Sequence, residues 1–259
     1  MKKTLFIICL SMACTTIAST QRSDSLDLEY EFYKRSALID LSGGGRFDFY
    51  NFDDLNGMLR QANLPELGTT GYGGFFALRT PSATSRWVGE FSFDATSSRS
   101  NDGNAINGAA VVYRDFSLRL RVLYHVSDPA NLTKLYPFAG LGNTYRSLNT
   151  YSNIPGNGSF VSTVNQDVRR YKFGNSSMPL EIGLGLEQGF RGKSGDFFIG
   201  LRGGYTYNVL WSDWALDGDV LTDLSKPGAG VPFAAFLLRF KSDPKRAWEA
   251  RKKKAPAQE

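Results

Sequence analysis

Few side chains in this sequence have the types and spacing that chemistry needs. His125 is the only histidine, and Ser127 follows it by two positions, which supplies the residue types of a base and a nucleophile. A working triad needs a third group to orient the base. Two carboxylate pairs, Glu181 with Glu187 and Asp40 with Asp48, are separated by even numbers of residues. On an extended chain each pair therefore shares a face, an arrangement that general acid–base catalysis can use. The same pairs also read as counter-charges for arginine, and arginines are present in matching number. Cys9 and Cys14 are the only cysteines, so residues 21 onward hold no disulfide and no thiolate metal site. The glycines around Gly183 and Gly185 precede no helix and make no phosphate loop. The expectation is a chain with no catalytic residue, no metal and no cofactor.

The ends of the chain say where it goes. Lys2 and Lys3 precede the apolar run LFIICLSMA, and Thr15, Thr16, Ala18, Ser19 and Thr20 follow. A basic start, a short apolar core and a small-residue zone describe a secretory signal peptide over residues 1–20. The run is too short for a spanning helix, which needs about 20 apolar residues. A second reading makes Cys14 the acylated cysteine of a lipoprotein, although Leu10 stands one place too far from it. At the other end, residues 241–259 carry seven Lys and Arg against three acids, and residues 21–240 are close to neutral. The formal charge of +5 is thus a leader and a tail, and no nucleic-acid partner is expected.

The elements that must position any site announce themselves by period-two alternation. In residues 196–210, Phe197, Ile199, Leu201, Gly203, Tyr205, Tyr207 and Val209 alternate with Phe198, Gly200, Arg202, Gly204, Thr206 and Asn208. In 178–190, Met178, Leu180, Ile182, Leu184, Leu186 and Phe190 oppose Glu181, Gly183, Gly185, Glu187 and Gly189. In 116–126, Phe116, Leu118, Leu120, Val122, Tyr124 and Val126 oppose Ser117, Arg119, Arg121, Leu123 and His125. Segments 37–50, 71–80, 86–96, 135–146 and 231–240 behave alike with lower contrast. Eight strands follow.

Their connections alternate in length. PSATS, SDPANLTK and RGKSG are short, whereas 51–70, 97–107, 147–177 and 211–230 are long. Short periplasmic turns and longer extracellular loops are the pattern of outer-membrane barrels. Aromatics on the apolar faces, Trp87, Phe91, Phe93, Tyr124, Tyr145, Phe190, Phe197, Tyr205 and Tyr207 among them, suit interfacial girdles. They would suit a sandwich core as well. The sequence therefore predicts an all-β fold, an eight-stranded antiparallel up-and-down transmembrane β-barrel over 37–240, with both termini periplasmic. Residues 21–36 form a periplasmic N-terminal segment and 241–259 a basic periplasmic tail, with a short helix around Arg246–Lys253.

With the polar faces turned inward, the interior holds Asp40, Asp48, Glu90, Asp94, Glu181 and Glu187 against Arg46, Arg79, Arg119, Arg121, Arg202 and Arg239. Charges balance, and every base is arginine, whose planar fork holds carboxylates bidentately. An eight-stranded barrel is just wide enough for side chains to fill, so this set predicts a packed, non-conducting interior. The inward glycines Gly44, Gly183, Gly185, Gly200 and Gly204 are expected to make room for the arginines.

The first long loop predicts a helix. Asn51 can cap it, Asp53 and Asp54 suit its positive end, and Leu55, Met58, Leu59 and Ala62 share one face. It is expected on the barrel mouth. Tyr151, Ile154, Phe160, Val161 and Tyr171 in the third loop, and Trp211, Trp214 and Leu216 in the fourth, read as a cap over the mouth or as a surface for a glycan, lipopolysaccharide or partner protein.

Two resemblances follow from these residues. His125 and Ser127 resemble the His-X-Ser of outer-membrane lipid A deacylases, themselves eight-stranded barrels. Asp128 follows where that family tends to have asparagine, and no glutamate follows until Glu181. Gly43-Gly44-Gly45, Asn51-Phe52-Asp53-Asp54-Leu55-Asn56, Leu64-Pro65-Glu66-Leu67, Arg86-Trp87-Val88-Gly89-Glu90 and Tyr136-Pro137-Phe138-Ala139-Gly140-Leu141-Gly142 resemble small outer-membrane barrels common in Bacteroidota. Phe240, closing the last strand, is similar to a barrel assembly signal. That resemblance implies an eight-stranded barrel without a defined activity. The function expected is a structural or interaction barrel in contact with outer-membrane lipid or lipopolysaccharide and an envelope protein partner. A small porin and a lipid A deacylase using His125 and Ser127 are the alternatives.

Overall fold

Each alternating segment pairs antiparallel with the next along the chain until the sheet meets itself. The computed structural model describes residues 39–80, 85–100, 109–128, 131–152, 169–216, 219–221, 224–243 and 245–247. The expected leader, the 21–36 segment, Ile154, Phe160, Val161 and the tail beyond residue 247 lie outside them. The elements in order are β1 (Asp40–Phe49), α1 (Asp53–Gln61), β2 (Thr70–Arg79), β3 (Trp87–Arg99), β4 (Ala110–Tyr124) and β5 (Thr133–Ser152). There follow β6 (Arg169–Arg191), β7 (Gly195–Trp211), β8 (Trp214–Leu216), β9 (Asp219–Leu221) and β10 (Gly230–Ser242). Strands β1 to β7 pair in sequence, β7 pairs with β10, and β10 returns to β1 with Asp40 opposite Lys241. The result is a closed antiparallel barrel of eight strands, as the sequence predicts. The remaining two, β8 and β9, form a small hairpin added to β6 where β7 leaves it, Phe173 opposite Leu216.

The strands run further than their alternation. Expected loops at 97–107 and 147–177 are partly ladder, since β3 reaches Arg99, β4 begins at Ala110, β5 reaches Ser152 and β6 begins at Arg169. Serine, asparagine and basic residues fill these extensions. Pairing continues there, but the apolar-versus-polar contrast that reveals a strand in sequence is gone.

The two faces are inverted relative to a water-soluble core. Arginines and carboxylates point inward and are buried, while Ile182, Leu184 and Leu201 point outward and are 64%, 62% and 62% exposed. At the end with the long connections, α1 closes the mouth. Leu55 and Leu59 from α1 join Tyr50, Phe52, Leu67, Val111, Tyr113, Leu148, Trp214 and Val231 in one apolar cluster. Tyr50 stacks on Phe52 at 4.9 Å, and both meet Tyr113 edge-on. The Asn51 side chain accepts the Asp53 backbone N–H (2.9 Å), one position before the cap residue Phe52. Asn56 pins the returning loop, accepting from Leu67 N (2.8 Å) and donating to Leu67 O (3.1 Å).

Inward glycines serve aromatics more than arginines. On neighbouring strands Tyr136 faces Gly185 and Phe138 faces Gly183. A Cβ at Gly185 would come within 2.3 Å of the Tyr136 ring, and one at Gly183 within 2.5 Å of Phe138. Gly204 sits under Phe233, though a Cβ there would meet the Ile182 carbonyl first, and a Cβ at Gly44 or Gly200 would strike the backbone of the next strand. The arginines use glycines the sequence reading passed over, Gly140 beside Arg121 and Gly142 beside Arg119. Gly185→Ala should therefore displace Tyr136 and lower stability by about 1–3 kcal/mol, measured by denaturant unfolding of the refolded protein. An unchanged midpoint would show that the ring is not wedged.

Candidate functional site

Twelve inward charges that the alternation assigns are all buried, and they form one connected lattice along the barrel axis. Alternation alone brings them together. A strand residue two places on faces the same side, so consecutive polar positions on eight strands converge on one narrow lumen. At the short-turn end, Arg239 holds Asp40 with two bonds, 2.7 and 3.0 Å, and reaches Glu187 Oε2 at 2.6 Å. Arg79 bridges Glu187 (2.7 Å) to Glu90 (2.8 Å). Glu90 is the hub. Arg202 grips it with both nitrogens (2.7 and 2.5 Å), and Arg121 adds a bond at 3.0 Å.

From Arg121 the lattice continues to Asp94 (3.1 Å) and Glu181 (3.0 Å). Arg119 shares Glu181 and contacts Asp94 at 3.3 Å. Arg46 lies 3.6 Å from Glu181 and bonds Asp48 at 2.9 Å. Aromatic faces complete the surroundings, with the Arg46 guanidinium 4.0 Å over Phe233 and that of Arg239 4.5 Å over Phe198. Such contacts add to charge stabilisation where water is excluded.

Three further interior polar residues do not stand out in the sequence. Tyr136 donates to Glu187 and accepts from Arg202 Nε (3.0 Å) and Arg79 Nη2 (3.3 Å). It reads as an apolar position because its ring fills the space over Gly185. Asp115 and Arg146, a seventh acid and a seventh arginine, form a further ion pair near the mouth at 3.2 Å, roofed by the Tyr50 hydroxyl, which donates to Asp115 (2.9 Å). Asp115 sits just beyond the alternating part of β4. Arg146 ends the alternating part of β5, and extending the parity of Arg121 and Tyr136 would have found both.

The supposed nucleophile and base are not assembled. His125 is buried at the short-turn end, its ring 5.4 Å from that of Tyr136, and its Nδ1 has no hydrogen-bond partner among the described residues. The Ser127 hydroxyl donates to the Thr133 carbonyl at 2.9 Å. No hydrogen bond joins the two among the described residues. Glu181, Glu187, Asp40 and Asp48 are each held by arginine, so their oxygens are occupied as counter-charges. Among the described residues no group of His, Cys, Asp and Glu could hold a metal.

No protein-family model matches the sequence, and no curated protein is similar to it at a significant level. Among solved structures the chain is similar to Ail, the attachment invasion locus protein of Yersinia pestis, solved with the heparin analogue sucrose octasulfate. The identity is 11% and the TM-score 0.42, over 79% of this chain and 97% of that one. It is also similar to the N-terminal β-barrel domain of Pseudomonas aeruginosa OprF, at 13% identity and a TM-score of 0.31, over 79% and 98% of the two chains. The Escherichia coli outer membrane protease OmpT follows at 10% identity and a TM-score of 0.27, over 79% and 93%. At such distances the strand pairing, and not the likeness, defines the fold.

Two outcomes follow from the lattice. Glu90→Gln leaves Arg79, Arg121 and Arg202 short of one charge and should cost about 3–5 kcal/mol in denaturant unfolding. Asp40→Asn should cost less, because Arg239 keeps Glu187; equal losses would show that Glu90 is no hub. His125 follows β4, and burial, then the nearby Arg79 and Arg239, push its pKa down to about 4, with Glu187 opposing and Lys134 adding to the effect. The unfolded chain, with an ordinary value of about 6.5, binds the extra proton between those limits. Stability from this group is thus full above about pH 6.5 and lost as pH falls toward 4. His125→Gln should flatten that part of the stability–pH curve, and an unchanged slope would assign it elsewhere.

Proposed function

We propose that this protein is an outer-membrane β-barrel with a sealed interior, acting at the cell envelope as a structural or surface-binding component. The observation that carries the reading is the inversion of polarity: apolar side chains cover the outside of the closed barrel, and paired charges fill the inside. Water would reward neither arrangement. A lipid surround rewards the first and forbids an open sheet edge, and this barrel has none among its eight strands.

The dimensions fit. From Phe197 to Tyr207 the outward residues of β7 are all apolar or aromatic apart from Gly203. Ten steps of about 3.4 Å, tilted by roughly 40°, give a band about 26 Å tall, close to the ~25 Å expected of such barrels. Aromatic residues lie at both margins, Trp87, Tyr124, Phe190 and Phe197 toward the short turns, and Tyr72, Tyr145, Tyr205 and Tyr207 toward the mouth. Trp87 and Tyr124 touch across neighbouring strands at 4.8 Å. In this reading the short turns and both termini are periplasmic and the α1-capped mouth faces outward. Its surroundings are outer-membrane lipid or lipopolysaccharide, with an envelope protein as a further partner. The motif resemblance to small Bacteroidota barrels belongs to the same reading.

The lattice argues against a channel, because the lumen is occupied by ion-paired side chains from Asp40 to Asp115. It argues for no reaction either, since His125 and Ser127 are apart in role. What remains available for interaction is the exterior and the mouth. Planar-bilayer conductance of the refolded protein tests the reading, with silence expected. Steady openings of reproducible size would overturn the sealed interior, and a protein that stays soluble without detergent would overturn the membrane reading.

A further inference from the structure

The belt ends unevenly at the mouth. On β3, β4 and β6 the outward row above the apolar band is basic, with Arg99, Arg114, Arg170 and Lys172 all exposed, whereas on β5 between them it holds the buried Ser147 and Asn149. Their parity matches the lipid-facing residues on the same strands. Arg99 continues the face of Phe91 and Phe93, Arg114 stands two residues before Phe116 on the same face, and Arg170 and Lys172 continue the face of Met178 and Leu180. The registers set them in two pairs, Arg99 with Arg114 on β3 and β4 and Arg170 with Lys172 on β6, with β5 between the pairs. Ser97 faces Arg114 while Arg99 faces Val112, so the two arginines are diagonal neighbours, about 7–8 Å apart at the backbone. One strand further, Asn149 pairs with Lys172 and Tyr151 with Arg170, and the Arg170 guanidinium lies 5.5 Å over the Tyr151 ring.

No carboxylate occupies an outward position on these four strands among the described residues. Of the acids at this end, Asp53 and Asp54 lie in α1 and Glu66 contacts Arg60 at 3.3 Å, while Asp213, which contacts Lys226 at 2.8 Å, and Asp219 belong to the β8–β9 hairpin beside β6. A one-sided cluster of cations at the upper margin of an apolar belt meets whatever charge the lipid carries at headgroup depth. Arginine forks bind phosphate oxygens bidentately, and cations two positions apart on adjacent strands can share one phosphorylated headgroup.

The geometry points to Arg99, Arg114, Arg170 and Lys172 as a binding surface for the phosphate groups of a phosphorylated glycolipid in the outer leaflet. This deepens the proposed function and rests on its membrane reading. The site holds one class of lipid against one side of the barrel, leaving the α1 flank free.

The test uses the refolded full-length chain in phosphatidylcholine vesicles containing either bis-phosphorylated lipid A or its dephosphorylated form. The readout is the temperature at which the barrel loses its heat-modifiable mobility. Phosphorylated lipid should raise that temperature for the wild type in a salt-sensitive manner. It should do the same for a control variant neutralised at the opposite end, R86Q/R191Q/K193Q, and should fail for R99Q/R114Q/R170Q/K172Q. Single changes Arg114→Gln and Lys172→Gln should each weaken the apparent affinity roughly fivefold, the effect of one cation near an anionic surface. They serve as well if the fourfold variant does not fold. Equal responses of the rim variant and the wild type, or a response that ignores the phosphates, would overturn the site. Wild type that does not insert into plain phosphatidylcholine vesicles would overturn the membrane reading and the site with it.

Discussion

Charge neutrality inside a lumen too narrow for bulk water is the constraint on which the rest of this structure depends. Among the described residues the eight strands enclose seven arginines and seven carboxylates, counting the twelve assigned from alternation together with Asp115 and Arg146, besides Lys134 buried at the short-turn end. An unpaired charge in that setting is costly by several kcal/mol, so every member must find its partner at once. Shared carboxylates are how the barrel manages it. Glu90 serves Arg79, Arg121 and Arg202, and Glu181 serves Arg46, Arg119 and Arg121. Lysine could not replace these arginines, because a point charge cannot hold two carboxylates in fixed directions. Arg79 does so between Glu90 and Glu187.

The ends of the barrel are finished differently because their surroundings differ. At the short-turn end the lattice stops at Arg239 and Asp40, with Phe198 and His125 packed beside it. At the mouth the loops are long, and an apolar lid of α1, Trp214 and the Tyr50–Phe52–Tyr113 aromatics seats over the last ion pair. The Tyr50 hydroxyl belongs to both layers, with its ring in the lid and its proton on Asp115. Lid and lattice are thus one packed interior, in which an apolar loop cluster excludes water from the charges beneath it.

Much of this was legible in the sequence because a strand with two unlike surroundings writes its register in every second residue. The faces of Phe197–Val209 and Met178–Phe190 predict which residues enter the lumen, and all twelve predicted charges are buried there. The limits of the strands were not legible, because above the belt both faces carry polar residues and the pattern fades, as in 147–152 and 169–177. Nor were the glycine partners. That Gly185 serves Tyr136 and Gly140 serves Arg121 depends on cross-strand register, which a single strand does not encode. The basic rim was hidden for the same reason, since Arg99, Arg114 and the Arg170–Lys172 pair lie far apart in sequence and come to one side of the barrel only through pairing.

A purely apolar filling would hold an eight-stranded barrel together at least as well, since buried ion pairs often contribute no more than well-packed hydrophobic residues of equal volume. The charges have a different consequence. With lipid outside, as proposed, a barrel apolar on both faces would gain nothing by choosing one register over the next, because a slip of one residue exchanges the faces. Here a slip would turn Arg202, Glu187 or Arg121 toward lipid. Each arginine at mid-bilayer depth carries a penalty of about 2–4 kcal/mol, besides the partners it abandons. The error is largest where the lattice is densest, around Glu90 of β3, whose register with β4 sets it opposite Arg121. The buried charges therefore act on specificity more than on net stability. They make the native pairing the one arrangement in which the strands can be apolar outside and neutral within.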